Sequence, residues 1–349
     1  MIMPFLDNPE RVLPVAVDPR SPSLDADLLA LVRAIVPDWA DADGAAVQPV
    51  HGGITNLLFR LESVGRPPLL VRIYGDNTEV VIDREGENRL FAALSRQGFA
   101  PTYHGRFANG RVEGWLEGFR ALAPQEMGEP GLRRLIARRL RVMHALPAPA
   151  GGPKLWQTLS GWMQTAREVD FTGDQAALRD QLDLAKYAQH LRALEQREGE
   201  LRRTHAGRPG WEAGFRSVLA HNDLLSGNVL TNAIQDRVHF VDYEYGGTAP
   251  AAFDVANHFC EYAGFDSDFE AGFPSRDDRD DFISHYLGHG ATPDEVSDFS
   301  RAVDFYVLPD HLWWGTWAVV QARYSPIDFD YLEYARLRLA GFDLHLGGL

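Results

Sequence analysis

The chain has a single cysteine, Cys260, among 349 residues. It cannot form an intramolecular disulfide, and a reducing, cytoplasmic setting is expected. It also lacks any apolar run near the roughly 18 residues that a membrane span needs, so no spanning helix is expected. The opening residues, MIMPFLDNPERVLPVAV, carry an early acid and prolines with no basic stretch before a long apolar core, so no secretory signal is expected. Positive charge is scarce: 34 Lys and Arg stand against 49 Asp and Glu, a net charge of −15. Phosphate-backbone binding needs a basic face, so nucleic acid is not the expected partner. An acidic surface is compatible with a cationic substrate, although most acidic surfaces are simply solvated. The sequence shows no internal repeat and no low-complexity tract.

Hydrophobic residues make up 45% of the chain, enough for a packed globule. The length is large for one core and predicts two subdomains or two lobes. Residues 24–36 carry apolar side chains at helical spacing. From Val47 the pattern becomes strand, glycine turn, strand, and then a third strand, PLLVRIYG, with Arg72 inside it. REGENRLFAALSRQG predicts a helix ending at Gly98, and Asn109-Gly110 marks a hairpin turn. After Pro124 helices dominate, including one long charged helix over 174–204. Two short strands, NVLTN and RVHFVDY, interrupt them. The predicted fold class is α+β, with a strand-rich lobe over 1–121 and a mostly helical lobe over 122–349.

LAHNDLLSGNVL, Leu219–Leu230, crowds His221, Asn222, Asp223 and Asn228 between apolar flanks. An Asp five residues before an Asn, on a loop between strands, suits phosphoryl transfer. Asp223 can accept the proton of an attacking hydroxyl and Asn228 can hold Mg²⁺. Capped turns use the same residue types. Asp242, closing an apolar strand 19 residues later, stands where kinases carry a metal-binding carboxylate. Mg²⁺ needs few protein ligands, and Asn228 with Asp242 would suffice. His221 and Asn222 are expected to hold the loop's shape.

In the N-terminal lobe, Gly52 and Gly53 of HGGITN would let backbone N–H groups approach phosphates, or simply turn a hairpin. Arg72 sits mid-strand, where a guanidinium can grip phosphate oxygens. Its carboxylate partner is expected on the following helix, with Glu87 first and Glu85 as rival. Near the C-terminus Trp314 and Trp317 share a helix face, with Tyr334 on the next helix. They form either a core stripe or an aromatic box for an ammonium ion. Glu261, soon after the Asp242 strand, could offset that charge.

Together HGGITN, VRIYG, HNDLLSGNVL, VDYEYGGTAPAAFDVANHFCEYAGF and YSPIDFDYLEYA resemble the choline/ethanolamine kinase family of the protein-kinase-like superfamily. The details EYAGF and YSPIDFDYLEYA look more like ethanolamine kinases. The resemblance implies a two-lobed protein-kinase-like fold and ATP-dependent phosphorylation of ethanolamine, or choline, for phospholipid synthesis. It implies Asp223 as catalytic base and Asn228 and Asp242 as Mg²⁺ ligands. Gly52, Gly53, Thr55, Asn56 and Arg72 would hold ATP phosphates, with Glu87 paired to Arg72. Glu117 would lie at the adenine-side hinge. Glu261, Trp314, Trp317 and Tyr334 would line the amino-alcohol pocket. A homodimer is left open. Two alternatives stand beside this: a kinase-like phosphotransferase for an aminoglycoside, homoserine or a sugar, and a catalytically silent nucleotide-binding module.

Overall fold

A computed structural model describes residues 12–50, 56–75, 82–148, 154–325 and 327–347. The chain divides into two compact units, Met1–Phe119 and Arg120–Leu349.

The first unit is built on a six-stranded sheet. Its spatial order is Val12–Leu13, Tyr103–Phe107, Gly110–Gly114, Leu69–Tyr74, Asn56–Glu62 and Ala46–Val50. All neighbouring pairs are antiparallel except Val12–Leu13 with Tyr103–Phe107. Pro49 is tolerated because it lies on the edge strand. Strand alternation divides the sheet's two faces. Val71, paired with Val112, joins the apolar core under the helix Leu24–Ile35, with Leu28, Val32, Ile35 and Trp39. Arg72, paired with Arg111, points the other way, and Glu113 shares that face two residues on. The helix Arg84–Arg96 follows, capped by Asp83, whose side chain accepts the Gly86 N–H at 2.9 Å.

The expected Asn109-Gly110 hairpin is present, and the reason for its glycine is specific. A Cβ on Gly110 would collide with the Arg72 carbonyl oxygen on the neighbouring strand. Asn109 is committed elsewhere: its side chain accepts the Val17 N–H and donates to the Val17 carbonyl, both at 2.9 Å.

The second unit is helical around two small sheets, one of two strands and one of three. Ser217–Ala220 pairs with Gly247–Pro250, and Val229–Asn232 pairs with Val238–Phe240. The loop between Ala220 and Val229 carries the HND…N residues. The long helix expected over 174–204 is two helices, Asp174–Gln181 and Leu184–Thr204. Asp183 breaks it by adopting left-handed backbone (φ 44°) and capping the second helix with its side chain. Pro293–Tyr324 runs 32 residues from a Thr292/Glu295 capping box, and Tyr331–Leu346 follows it. Among the described residues no helix is long and apolar enough to cross a membrane. The strand-rich first part and helical second part agree with the α+β expectation.

Candidate active site

The site begins with how Asp223 is held. The helix Ala251–Cys260 presents Asp254, Asn257 and His258 on one face, by their i, i+3 and i+4 spacing, and all three are fully buried. Asp254 accepts backbone N–H bonds from His221 at 2.8 Å and Asn222 at 2.6 Å. Asn257 accepts the Leu224 N–H at 2.8 Å, and His258 Nδ1 meets the Leu224 carbonyl at 2.9 Å. Both peptide flanks of Asp223 are therefore fixed. Asn222 sits in left-handed backbone (φ 63°), a conformation the chain keeps only where surroundings enforce it. Asp242 does the same at φ 64°.

The two loops are stitched together. His221 Nε2 meets the Val241 carbonyl at 2.9 Å, and Asn222 Nδ2 donates to the Tyr245 carbonyl at 2.9 Å. The Val241 N–H donates to the Asn228 carbonyl at 3.0 Å. Asn228 Nδ2 donates to the Asp223 carbonyl at 2.8 Å and to its carboxylate at 3.0 Å. With its NH₂ turned to Asp223, the Asn228 amide keeps its oxygen for another partner.

Burial pushes the Asp223 carboxyl well above the ordinary carboxylate range, and the charges of Glu261, Asp242 and Glu244 push the same way. Asp242 and Glu244 offer carboxylate oxygens within 4.8 Å of one another. This crowd of hard oxygen donors fits a divalent cation such as Mg²⁺, whose charge would relieve the repulsion. Glu244 escaped the sequence reading. Its signal was present as the second acid of VDYEYGG.

Glu261 is buried and ion-paired with Arg338 at 3.1 Å. Arg338 also bonds Asp310, which accepts from Asn257 Nδ2 at 3.1 Å. A polar chain thus runs from Glu261 to the loop that carries Asp223. Burial, opposed by Arg338, leaves the Glu261 carboxyl pushed up to about 7. Arg338 stands 77 residues away in sequence and was not foreseen. Its Nη1 is 3.5 Å from the Tyr334 hydroxyl. Asp223 and Glu261 both act electrostatically on that hydroxyl.

Trp314 and Trp317 pack edge-to-face with centroids 5.2 Å apart. Tyr245 completes their cluster: its ring lies 5.2 Å from Trp314, and its hydroxyl accepts the Trp317 Nε1–H at 2.8 Å. Tyr334 packs against Phe265 and Phe329. Tyr245, Phe265 and Phe329 were missed, because aromatic residues on turns carry no periodic signal.

In the first unit, the expected Arg72–Glu87 pair is replaced by a wider buried network. Arg72 Nε donates to Glu113 at 3.1 Å, and Arg111 bonds both Glu113 and Glu87. Arg84 adds a second bond to Glu87 at 2.8 Å. Burial raises the Glu87 carboxyl, but Arg111, Arg84 and Arg72 outweigh it and bring it down to about 2. Arg72 therefore reaches Glu87 by its field, with Arg111 and Glu113 between. The cause is register: Arg72 lies directly opposite Arg111 across the sheet. Glu85, the rival, pairs at the surface with Arg106. Asn56 is buried and accepts from Arg84 at 3.2 Å. Glu117 is exposed in a turn beside Gly118 (φ 77°). Gly52, Gly53 and Thr55 lie outside the described residues.

The choline/ethanolamine kinase family model matches residues 47–343. Mouse ethanolamine kinase 2 is 34% identical over 316 residues, spanning 89% of this chain and 78% of that protein. An Arabidopsis thaliana protein named "Probable choline kinase 1" is 33% identical over 335 residues, 89% of this chain and 91% of its own. The solved Plasmodium vivax ethanolamine kinase superposes with a TM-score of 0.80 at 25% identity, covering 93% of this chain and 89% of its own. The chain belongs to the choline/ethanolamine kinase family and is a kinase of the protein-kinase-like fold.

Proposed function

We propose that this kinase transfers the γ-phosphoryl group of ATP to the hydroxyl of a small amino alcohol, ethanolamine first and choline second. The observation that carries the reading is a buried acidic centre, Asp223 with Glu261, served by aromatic rings on the same helical unit. A compact cation fits such surroundings through carboxylate pairing and ring faces. The names of the mouse and Plasmodium relatives support ethanolamine, and that of the Arabidopsis protein supports choline.

In this reading Asp223 accepts the hydroxyl proton as the oxygen bonds phosphorus and ADP departs. Asn228 holds the Asp223 carboxylate through Nδ2, and Asp254 and Asn257 hold its backbone. Asp223 must be ionised to serve as base, so cationic substrate and metal would both favour its active form. Asn228 and Asp242 are the ligands we assign to Mg²⁺, with Glu244 beside them; the ion would neutralise phosphate charge when bound. Arg72, the glycines and Thr55 of the 51–56 loop, and Asn56 are assigned to the ATP phosphates. Glu87 anchors the arginine network behind Arg72, and Glu117 is assigned to the adenine side. Glu261, Trp314, Trp317 and Tyr334 are assigned to the amino alcohol. The lobe boundary at 121–122, a cytoplasmic setting supported by the lone buried Cys260, and a homodimer belong to the same proposal.

The test is an acceptor panel with coupled ADP detection: ethanolamine, choline, homoserine, a sugar and an aminoglycoside. The highest kcat/KM is expected for ethanolamine. Efficient turnover of a sugar with none of ethanolamine overturns the assignment.

A further inference from the structure

On the helical unit, a groove of about 760 Å³ lies among the helices Pro130–His144, Leu184–Thr204, Pro209–Phe215 and Arg276–Leu287. None of the residues assigned to the reaction lines it. Arg141, Arg202, Arg216 and His205 do, in a chain whose net charge is −15. Arg202 is already paired with Glu198. Arg141 and Arg216 have no carboxylate partner among the described residues. Gly288 leaves room for the Arg141 guanidinium, which a Cβ there would strike. The one acid of the lining, Glu212, accepts the Gly207 N–H at 2.7 Å. Two arginines without carboxylates beside an imidazole make a receptor for phosphate oxygens, which guanidinium binds in a bidentate fork.

The groove also has a physical line to the catalytic loop. Its floor residue Tyr286 is buried beside Arg216. The Tyr286 hydroxyl bonds His144 Nδ1 at 2.7 Å, and His144 Nε2 bonds Asp254 at 2.8 Å. Asp254 is the residue that holds the His221 and Asn222 N–H groups just before Asp223. Arg216 itself is the residue before the strand Ser217–Ala220 that leads into the loop, and its carbonyl accepts the Ala251 N–H at 2.9 Å. We propose that this groove binds a small phosphate-bearing anion and passes its occupancy to the catalytic loop through Tyr286, His144 and Asp254.

The test is calorimetric titration of the full chain with inorganic phosphate and with phosphoethanolamine, in buffer free of nucleotide and divalent metal. Saturable binding of at least one probe is expected, weakened on the order of tenfold or more in Arg141→Gln/Arg216→Gln. Arg216→Lys should recover part of it. The second arm follows initial rates against phosphate concentration at saturating ATP and acceptor. Wild type should respond, and the double variant should not. Tyr286→Phe should keep phosphate affinity within about twofold while losing the rate response, since coupling is a separate free energy from binding. Three results overturn the proposal: no saturable binding at millimolar probe, equal affinity in the double variant, or the same rate response in wild type and both variants. The binding arm does not depend on which acceptor the enzyme uses, so failure of the amino-alcohol assignment would leave it intact.

Discussion

Asp254→Asn perturbs the loop that carries Asp223 while leaving Asp223 itself unchanged. The wild-type carboxylate is fully buried and takes three hydrogen bonds, from the His221 and Asn222 N–H groups and from His144 Nε2. An asparagine is the same size but keeps one acceptor oxygen. Its NH₂ must face either the Asn222 N–H, or the His221 N–H together with His144 Nε2. One buried donor loses its partner, which costs about 1–3 kcal/mol, and the remaining bonds lose their charge assistance, roughly half their strength. The sum is about 2–5 kcal/mol, a large part of a typical 5–15 kcal/mol stability. Activity should suffer separately. Asn222 is held at φ 63° by these bonds, and Asp223 follows it directly. A displacement of about 1 Å in a catalytic group can cost on the order of a hundredfold in kcat. Burial raises the Asp254 carboxyl, but His144 and the loop N–H groups outweigh it and hold it below its usual range. A depressed carboxyl stabilises above its unfolded pKa and loses that contribution as pH falls through the folded value. The stability gap between wild type and variant should therefore close in acid. Urea midpoints across pH, with kcat at saturating ATP and acceptor, measure both effects. A wild-type midpoint together with a wild-type kcat at neutral pH would show that Asp254 does not hold the loop.

Two further outcomes follow from the site. Glu261, pushed up to about 7, is protonated below that pH and ionised above it. KM for the acceptor should fall as pH rises through 7, for permanently charged choline as well as for ethanolamine, and Glu261→Gln should flatten the profile; a profile unchanged in the variant removes Glu261 from cation binding. Asn228→Ala takes away both the Asp223 tether and an assigned metal ligand, so the Mg²⁺ concentration for half-maximal rate should rise by about tenfold or more in a magnesium titration. An unshifted midpoint would remove Asn228 from the metal site.

The pairing of the two polar loops was legible because its signal is local. Asp223, Asn228 and Asp242 lie on two tight loops whose polar residues stand out between short apolar strands. Five of the six strands of the first unit were legible from local runs and turn residues, whereas Val12–Leu13, two residues long, carries no pattern of its own. What stayed hidden depends on contacts between distant segments. Arg111 and Glu113 read as ordinary strand residues; only the register that sets Arg111 across from Arg72 turns them into the buried network around Glu87. Arg338 reads as one more charge on a terminal helix, yet it is fully buried between Glu261 and Asp310. Asp254 stands inside the AAFDVANHFC run, but its contacts follow from helix spacing with Asn257 and His258 and from where that helix packs. The break at Asp183 was missed because helical periodicity continues on both sides of it. Aspartate is among the few non-glycine residues that tolerate left-handed backbone.

In the proposed reaction Asp223 accepts the hydroxyl proton while its surroundings hold it in place. The most direct measurement compares wild type with Asp223→Asn for phosphoryl transfer to ethanolamine, alongside ATP binding by calorimetry. In Asp223→Asn, kcat should fall on the order of a hundredfold or more, with ATP affinity nearly unchanged. Near-normal turnover by Asp223→Asn would contradict it.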